Sequence, residues 1–332
     1  MARMRMRQAI VKAMADELAA DPDVIVMGED VGAAGGVFKT SEGLLAQFGP
    51  RRVRDTPIAE MGFLGAAVGA AMTGLRPIVE IMFMDFLGVA LDQLVTQAAK
   101  MRFLSAGQYS VPLVVRGSAG SGLGYAAQHS QAVEPWLLST AGLKVAVASS
   151  PSTAYGLLRA AVRDPDPVVV IEPRSLYPTW EDFDPERVDV RLGRARTLRA
   201  GDDVTVVAAG ATVAVALEAA EHCSAEVIDL LTLSPMDLDT VRQSVGRTGR
   251  LVTVEAGPRA GGWGAGLAAE IAAGCFGTLR APVLRLTAPD VPVPYAEPLE
   301  RLMTPAAADV VAQIEALLRT DSLPGLWWKD AR

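Results

Sequence analysis

The chain has 332 residues, of which 50% are hydrophobic and 21% are charged, a composition typical of a globular rather than a disordered protein. Its 31 basic and 38 acidic residues give a net charge of −7, which argues against a general nucleic-acid-binding protein, since such proteins present a basic face. Two cysteines, Cys223 and Cys275, predict a reduced, cytoplasmic protein. The most apolar run, 63–73, is too short to span a membrane.

The first half of the chain alternates helical patterns with short apolar strands. The basic start, 1–7, is not followed by the apolar region of a targeting peptide, and Ile10, Met14 and Leu18 instead predict an ordinary first helix. Fully apolar strands between helices predict a buried parallel sheet. In chain order we expect strands at 24–28, 76–82, 112–117, 143–148 and 167–172, with helices at 60–73, 86–101 and 152–163.

The second half repeats this alternation after a break. Two prolines and four acidic residues interrupt the pattern at 178–188 and predict a linker. The fold class is therefore α/β with two doubly wound domains, which we place at 1–180 and 191–332, joined by a linker at 181–190. The later strands are expected at 203–209, 226–230, 251–255 and 283–287, and the later helices at 212–222, 237–245, 264–273 and 306–318.

Two glycine clusters follow predicted strands. Neither 28–36 nor 120–124 has the spacing of a dinucleotide fingerprint, and neither is followed by the Lys of a P-loop. Tight turns are the default interpretation of both. His129 lies just after the second cluster, where open α/β sheets gather ligand sites, although its position alone fits a structural residue equally well.

Glu60 stands out in the segment 55–63. Thr56 and Pro57 have the pattern of an N-cap followed by proline in the first helical position, which would put Glu60 in the first turn of a helix. A glutamate there complements the helix dipole. Its apolar neighbours, Ile58 and Met61 among them, also suit a carboxyl with a raised pKa that takes part in proton transfer.

Several stretches of the chain, taken in order, form a recognisable set. They are Gly28-Glu29-Asp30-Val31, 54–63, 74–80, Ala127-Gln128-His129-Ser130-Gln131, Gly142-Leu143-Lys144-Val145, Arg163-Asp164, Pro167-Val168, Ser234-Pro235-Met236-Asp237 and 290–296. With this set the chain resembles the beta subunit of the decarboxylating component of 2-oxo acid dehydrogenase complexes. The resemblance implies a transketolase-like pyrimidine-binding domain followed by a transketolase C-terminal domain, with thiamine diphosphate as cofactor.

The same resemblance implies roles for individual residues. Glu60 matches the glutamate that hydrogen-bonds a ring nitrogen of the aminopyrimidine, and proton exchange there activates the cofactor. Met82 and Phe86 match positions that line the pyrimidine pocket, where an apolar lining strengthens the hydrogen bond of Glu60. His129 matches a histidine associated with transfer of the acyl group to lipoamide, and an imidazole exchanges protons near neutral pH.

Family members divide the metal sites between two subunits. The alpha subunit normally holds the diphosphate and Mg²⁺ through a Gly-Asp-Gly motif followed by an asparagine. Here Gly201-Asp202-Asp203 matches only in part and the chain contains no asparagine, so we expect an α2β2 heterotetramer. Some members also bind K⁺, for which backbone carbonyls and acidic oxygens are suitable ligands. The positions that match this K⁺ site are Leu113, Ala161, Val162, Asp164 and Asp166, although Pro165 departs from the common pattern.

The leading functional prediction is the beta subunit of a pyruvate dehydrogenase that passes its acyl group to the lipoyl acyltransferase core of the complex. Acetoin or branched-chain 2-oxo acid dehydrogenases are alternatives, as is a two-carbon transferase that acts on a carrier protein. A non-catalytic scaffold subunit is a further alternative, which the presence of both Glu60 and His129 disfavours.

Overall fold

The computed structural model describes residues 1–329, which divide into two compact units. The first unit comprises Met1–Ala119 and Trp136–Leu192. The second comprises Gly120–Pro135 and the described chain from Gly193 onward. Within the described residues, every helix is too short or too polar to cross a membrane.

A parallel sheet forms the centre of the first unit. The strands of the segment 1–192 are β1 (Ala2–Arg5), β2 (Val24–Gly28), β3 (Val53–Asp55), β4 (Arg76–Phe83), β5 (Val114–Ala119), β6 (Lys144–Val147), β7 (Val168–Pro173) and β8 (Trp180–Phe183). The parallel sheet has the order β6-β7-β5-β4-β2-β3. Strands β2, β5 and β7 are buried along their whole length. The apolar runs 24–27, 113–115 and 168–171 predict this burial, and Arg116, Ser118 and Glu172 are buried with them.

Helices cover this sheet. They are α1 (Met6–Ala20), α2 (Leu44–Phe48), α3 (Glu60–Met72), α4 (Leu87–Leu91), α5 (Ala99–Leu104), α6 (Glu134–Leu138) and α7 (Pro151–Arg163). Helix α1 buries one side chain every three or four residues, which forms the apolar face that its sequence predicts. Helix α7 begins where its sequence indicates, because Pro151 occupies the first position and the Ser150 side chain accepts the Thr153 N–H.

The structure confirms a helical segment at 86–101, but this segment is not one continuous α-helix. A 3₁₀ turn at Met84–Phe86 leads into α4, a π-helical stretch follows at Asp92–Ala98, and α5 continues to Leu104. Apolar periodicity detects a buried helical face, but it does not distinguish α from π hydrogen bonding over a single turn.

The predicted linker region contains regular structure. Strand β8 pairs antiparallel with β1, so the N-terminus is part of a two-stranded sheet. The guanidinium carbons of Arg3 and Arg5 lie 5.4 and 4.7 Å from the ring centroid of Trp180, a distance at which cation–π attraction operates. The basic start is therefore a structural strand. Its polar sequence gave no strand signal.

The second unit also has an α/β fold, with a sheet and helices of its own. Its strands are β9 (Arg196–Arg199), β10 (Val204–Ala208), β11 (Ala225–Asp229), β12 (Thr232–Ser234), β13 (Leu251–Pro258) and β14 (Leu284–Ala288). Its main sheet has the order β14-β13-β10-β11-β9, parallel except for β9. Its helices are α8 (Thr212–Ala219), α9 (Leu238–Thr248), α10 (Trp263–Gly274), α11 (Glu297–Glu300) and α12 (Ala307–Thr320). The predicted α/β fold class is confirmed.

Candidate active site

Glu60 is the first residue of α3, directly beyond the carboxyl ends of β2 and β3. The helix predicted at 60–73 begins at Glu60 as expected, but Ala59 rather than Thr56 is its cap. The Thr56 N–H instead donates to the carbonyl of Gly28 at 3.0 Å, which ties the approach to α3 to the end of β2. Residues 56–59 thus bend around the strand end and deliver Glu60 at the helix N-terminus, where the dipole favours a negative charge.

A second carboxylate, Glu29, lies near Glu60. It follows β2 directly, is 9% exposed, and its Oε1 is buried without a hydrogen-bond partner. Burial raises the pKa of Glu29, and the negative charges of Glu60 and Asp30 raise it further. Two carboxyl groups with different environments therefore meet at the edge of the sheet. The sequence comparison contained Glu29 in a matching stretch but did not assign it a role.

The loop after β2 is closed by Asp55, the last residue of β3. Its carboxylate accepts the N–H groups of Gly32 and Ala33, with donor–acceptor distances of 2.6 and 3.2 Å. Together with the Thr56–Gly28 hydrogen bond, these contacts fix the two strand ends against each other. This is how residues 31 positions apart, Glu29 and Glu60, come close together.

The two predicted pocket residues, Met82 and Phe86, lie at the carboxyl end of β4 and in the turn after it. Both are partly exposed, so they can line a site as well as pack. The Met82 carbonyl accepts the Ser118 hydroxyl at 2.5 Å. The rings of Phe86 and Phe83 meet edge to face, 5.7 Å between centroids, which supports the apolar wall from behind.

A buried ionic network supports the central strands. Arg116, 1% exposed, donates to both oxygens of Glu172 at 2.6 Å and also pairs with Glu80. The Tyr177 hydroxyl donates to Glu172 at 2.7 Å. Burial raises the pKa of Glu80 despite the opposing effect of Arg116. Burial also raises the pKa of Tyr177 well above its usual range, and Glu172 adds to that shift. Both carboxylates depend on one guanidinium for charge compensation.

His129 belongs to the segment Gly120–Pro135 of the second unit. Its backbone N–H donates to the carbonyl of Ala126 at 3.4 Å, and the next residue, Ser130, is buried. The backbone before it has positive φ at Gly120, Gly122, Gly124 and Ala126. The glycine cluster therefore forms a sharply folded loop that leads directly to the histidine, as the turn interpretation predicts.

The five residues proposed for K⁺ lie in the first unit, and several of their oxygens have partners. The Val162 carbonyl accepts Arg76 at 2.8 Å, and both Asp164 carboxylate oxygens accept Lys144 at 2.7 Å. Asp166 pairs with Arg102 and lies 3.6 Å from Lys144. The basic side chains of Lys144 and Arg102 thus already compensate the acidic oxygens, and the K⁺ site stays a prediction.

The partial match to a diphosphate motif is a structural turn. A Cβ at Gly201 would lie 2.2 Å from the carbonyl carbon of Ala225, so only glycine fits this close approach. The N–H groups of Asp202 and Asp203 donate to the side chain and carbonyl of Ser224. Among residues 1–329, no group of three or more His, Cys, Asp or Glu is arranged to hold a metal ion.

Comparison with family models matches both units. The model described as transketolase, pyrimidine binding domain, matches residues 2–179, and the model described as transketolase, C-terminal domain, matches residues 193–310. A solved structure of a split gene transketolase, an inactive beta4 tetramer, is similar at a TM-score of 0.78 and 25% identity. The alignment covers 96% of this chain and 99% of that one.

Two relatives are similar along nearly the whole chain. The pyruvate dehydrogenase E1 component subunit beta of Rhizobium meliloti is 45% identical over 325 residues, which cover 96% of this chain and 70% of the relative. The 3-methyl-2-oxobutanoate dehydrogenase subunit beta of Mycobacterium tuberculosis is 44% identical over 322 residues, which cover 95% and 92% respectively.

Proposed function

Since the chain belongs to the family of E1 beta subunits of 2-oxo acid dehydrogenase complexes, we propose that it is the beta subunit of a thiamine diphosphate-dependent 2-oxo acid dehydrogenase. Pyruvate is the first substrate to test and lipoamide the acyl acceptor. The observation that carries this proposal is the pair of carboxyl groups, Glu29 and Glu60, beside an apolar wall at the carboxyl edge of the sheet.

These residues fit the aminopyrimidine part of the cofactor. The buried Glu29 Oε1 without a partner is suited to a polar ligand, while Met82 and Phe86 offer apolar surface to a flat ring. When bound, thiamine diphosphate supplies the electron sink for decarboxylation. Glu60 then holds or returns a proton at the ring nitrogen, and the apolar side chains exclude water from that hydrogen bond.

The diphosphate and Mg²⁺ are proposed to bind to an alpha subunit, because the partial motif at 201–203 is a tight turn in which only glycine fits at position 201. The small-residue face of α3 is consistent with a close helix partner, since Gly62, Ala66 and Gly69 are exposed in this chain. We propose an α2β2 heterotetramer that acts on the lipoyl acyltransferase core.

Glu60→Gln tests the proposal. In the assembled heterotetramer this change should leave assembly intact and slow proton exchange at the cofactor thiazolium ring by about 10²–10⁴-fold, because an amide cannot exchange the proton. The exposed Glu42 supplies the control, since Glu42→Gln removes the same charge from a solvent-facing side chain. Exchange at the parent rate in Glu60→Gln would show that Glu60 does not activate the cofactor.

His129 is proposed to serve acyl transfer. The two electrons left by decarboxylation would reduce the S–S bond of the dithiolane: one sulfur receives the acyl group, and the other takes up a proton, which an imidazole can supply near neutral pH. His129→Ala should therefore retain decarboxylation with an artificial electron acceptor and lose most acylation of a lipoyl domain. A variant that keeps the parental acylation rate would contradict this role.

The similarity to relatives of both kinds makes the branched-chain substrate a second candidate. Comparing kcat/KM for pyruvate and 3-methyl-2-oxobutanoate with the assembled enzyme decides between them.

A further inference from the structure

The loop before His129 has an unusual backbone. Gly120, Gly122, Gly124 and Ala126 have φ values of +90°, +104°, +70° and +57°, so the left-handed conformation recurs at every second residue. Alternation of this kind turns neighbouring N–H groups toward a common side and creates a concavity that binds an anion. The loop is therefore a ready receptor for a negative charge.

The anion comes from the chain itself. Glu300, the last residue of α11, is 5% exposed. Its Oε1 accepts the N–H of Gly122 at 2.8 Å, and its Oε2 accepts the N–H of Gly124 at 2.9 Å. Both oxygens are used, and hydrogen bonds to a buried carboxylate are stronger than those between neutral groups. One side chain thus holds two points of the loop across 178 and 176 residues of sequence.

The glycines are required for conformation rather than for space. A Cβ added at Gly124 would meet no atom within 4 Å, yet its φ of +70° is one that other residues rarely adopt. After these two hydrogen-bonded glycines, the backbone N–H of His129 donates to the carbonyl of Ala126, and Ser130 is buried. The short segment that carries His129 is therefore held on both sides, by Glu300 before it and by the packed Ser130 after it.

We propose that Glu300 is a positioning residue, whose carboxylate grips the backbone of Gly122 and Gly124 and so sets the place of His129 for acyl transfer. This inference rests on the proposed role of His129. It assigns to α11 a task in the reaction that its sequence does not reveal.

Glu300→Gln in the assembled enzyme is the direct test. The amide replaces one acceptor oxygen with a donor that faces an N–H group, so the loop loses one hydrogen bond and gains a repulsion. We expect lipoyl-domain acylation to fall about 10²-fold, the scale of loss that a displacement near 1 Å produces. Decarboxylation with an artificial acceptor should stay at the parental rate. Glu300→Asp, which keeps both oxygens, should recover part of the acylation.

Glu297→Gln is the matched control. Glu297 lies on the same short helix, is 72% exposed and pairs with Arg301, so its loss should leave both rates unchanged. If Glu300→Gln does not assemble, Gly124→Ala takes its place, because it disturbs the same loop without filling occupied space. It should lower acylation selectively in the same way.

The outcomes separate this inference from the proposed function. If His129→Ala keeps full acylation, the role of His129 itself is wrong. If His129→Ala loses acylation while Glu300→Gln, or Gly124→Ala in its place, retains it, the positioning role alone is overturned. Equal loss of acylation and decarboxylation in the Glu300 variant would also overturn it, because that result indicates general structural damage.

Discussion

Glu60 and Glu300 show what a sequence reveals about single residues. Glu60 was identified because a recognisable local stretch surrounds it, and the structure places it at a helix start beside Glu29. Glu300 had no such signal, since its partners Gly122 and Gly124 lie 178 and 176 residues away. A local pattern therefore points to Glu60 as a candidate site residue. Contacts between residues so far apart in sequence leave no local pattern, so Glu300 is not predicted.

Arg116→Met tests the buried network at the same scale. The change removes the cation that compensates Glu80 and Glu172, both of which are buried. We expect the free energy of unfolding to fall by about 3–5 kcal/mol, the usual cost of an uncompensated buried charge. Urea denaturation followed by circular dichroism measures it. Arg187→Met is the control, because Arg187 is 84% exposed and its pair with Asp184 contributes little. Equal midpoints for the two variants would contradict the expectation.

Secondary-structure elements were predicted well where their burial is uniform and poorly where it is not. The buried strands β2, β5 and β7 each contain an apolar run, at 24–27, 113–115 and 168–171, that predicts the strand. The short strands β1 and β8 were missed, because they are polar and are stabilised by pairing with each other. The start of α3 is predicted correctly at Glu60, but Thr56 is not its cap, because the cap pattern is local whereas the Thr56 N–H donates to the distant Gly28.

Helix α9 allows a test of an N-cap and its pH dependence. The Asp237 carboxylate accepts the Ala195 and Thr240 N–H groups, and these bonds lower its pKa although partial burial opposes them. A carboxyl whose pKa is lowered by folding contributes its full stability above the pKa of the unfolded chain, about 3.9. That contribution is lost progressively as pH falls from there through the lower pKa of the folded state. Asp237→Ala should cost about 1–2 kcal/mol at pH 7.

The difference between Asp237→Ala and the parent should shrink below about pH 3.9. Thermal unfolding at pH 7 and pH 3 measures it. Asp239→Ala is the control, because Asp239 lies on the same helix but is 85% exposed. A difference that persists undiminished at pH 3 would show that the ionised carboxylate is not what stabilises the cap.

For the whole molecule, the sequence predicted two α/β halves, and the structure has two compact units with parallel sheets. It did not predict that Gly120–Pro135 groups with the second unit. That grouping depends on contacts such as those of Glu300, which join parts of the chain that are remote in sequence. Composition and periodicity predict where helices and strands lie along the chain. They do not predict which residues remote in sequence come into contact.

The isolated chain should bind thiamine diphosphate poorly. Glu29 and Glu60 are proposed to contact the pyrimidine, and the described residues contain no group of three or more His, Cys, Asp or Glu that could hold a metal ion. Titration calorimetry with thiamine diphosphate and Mg²⁺ should give little heat for this chain alone and strong, Mg²⁺-dependent binding after an alpha subunit is added. Tight binding by the chain alone would refute the proposed division of the cofactor site.

The contact of Glu300 with the loop before His129 also has a consequence during synthesis of the chain, because the two partners are made at different times. Gly122 is synthesised 178 residues ahead of Glu300, an interval of roughly 10–40 s at about 5–20 residues per second. Throughout that interval the N–H groups of Gly122 and Gly124 lack the carboxylate that accepts them in the folded chain. A chain that stalls before codon 300 therefore contains every residue of the Arg116 network but lacks both hydrogen bonds that hold the loop before His129.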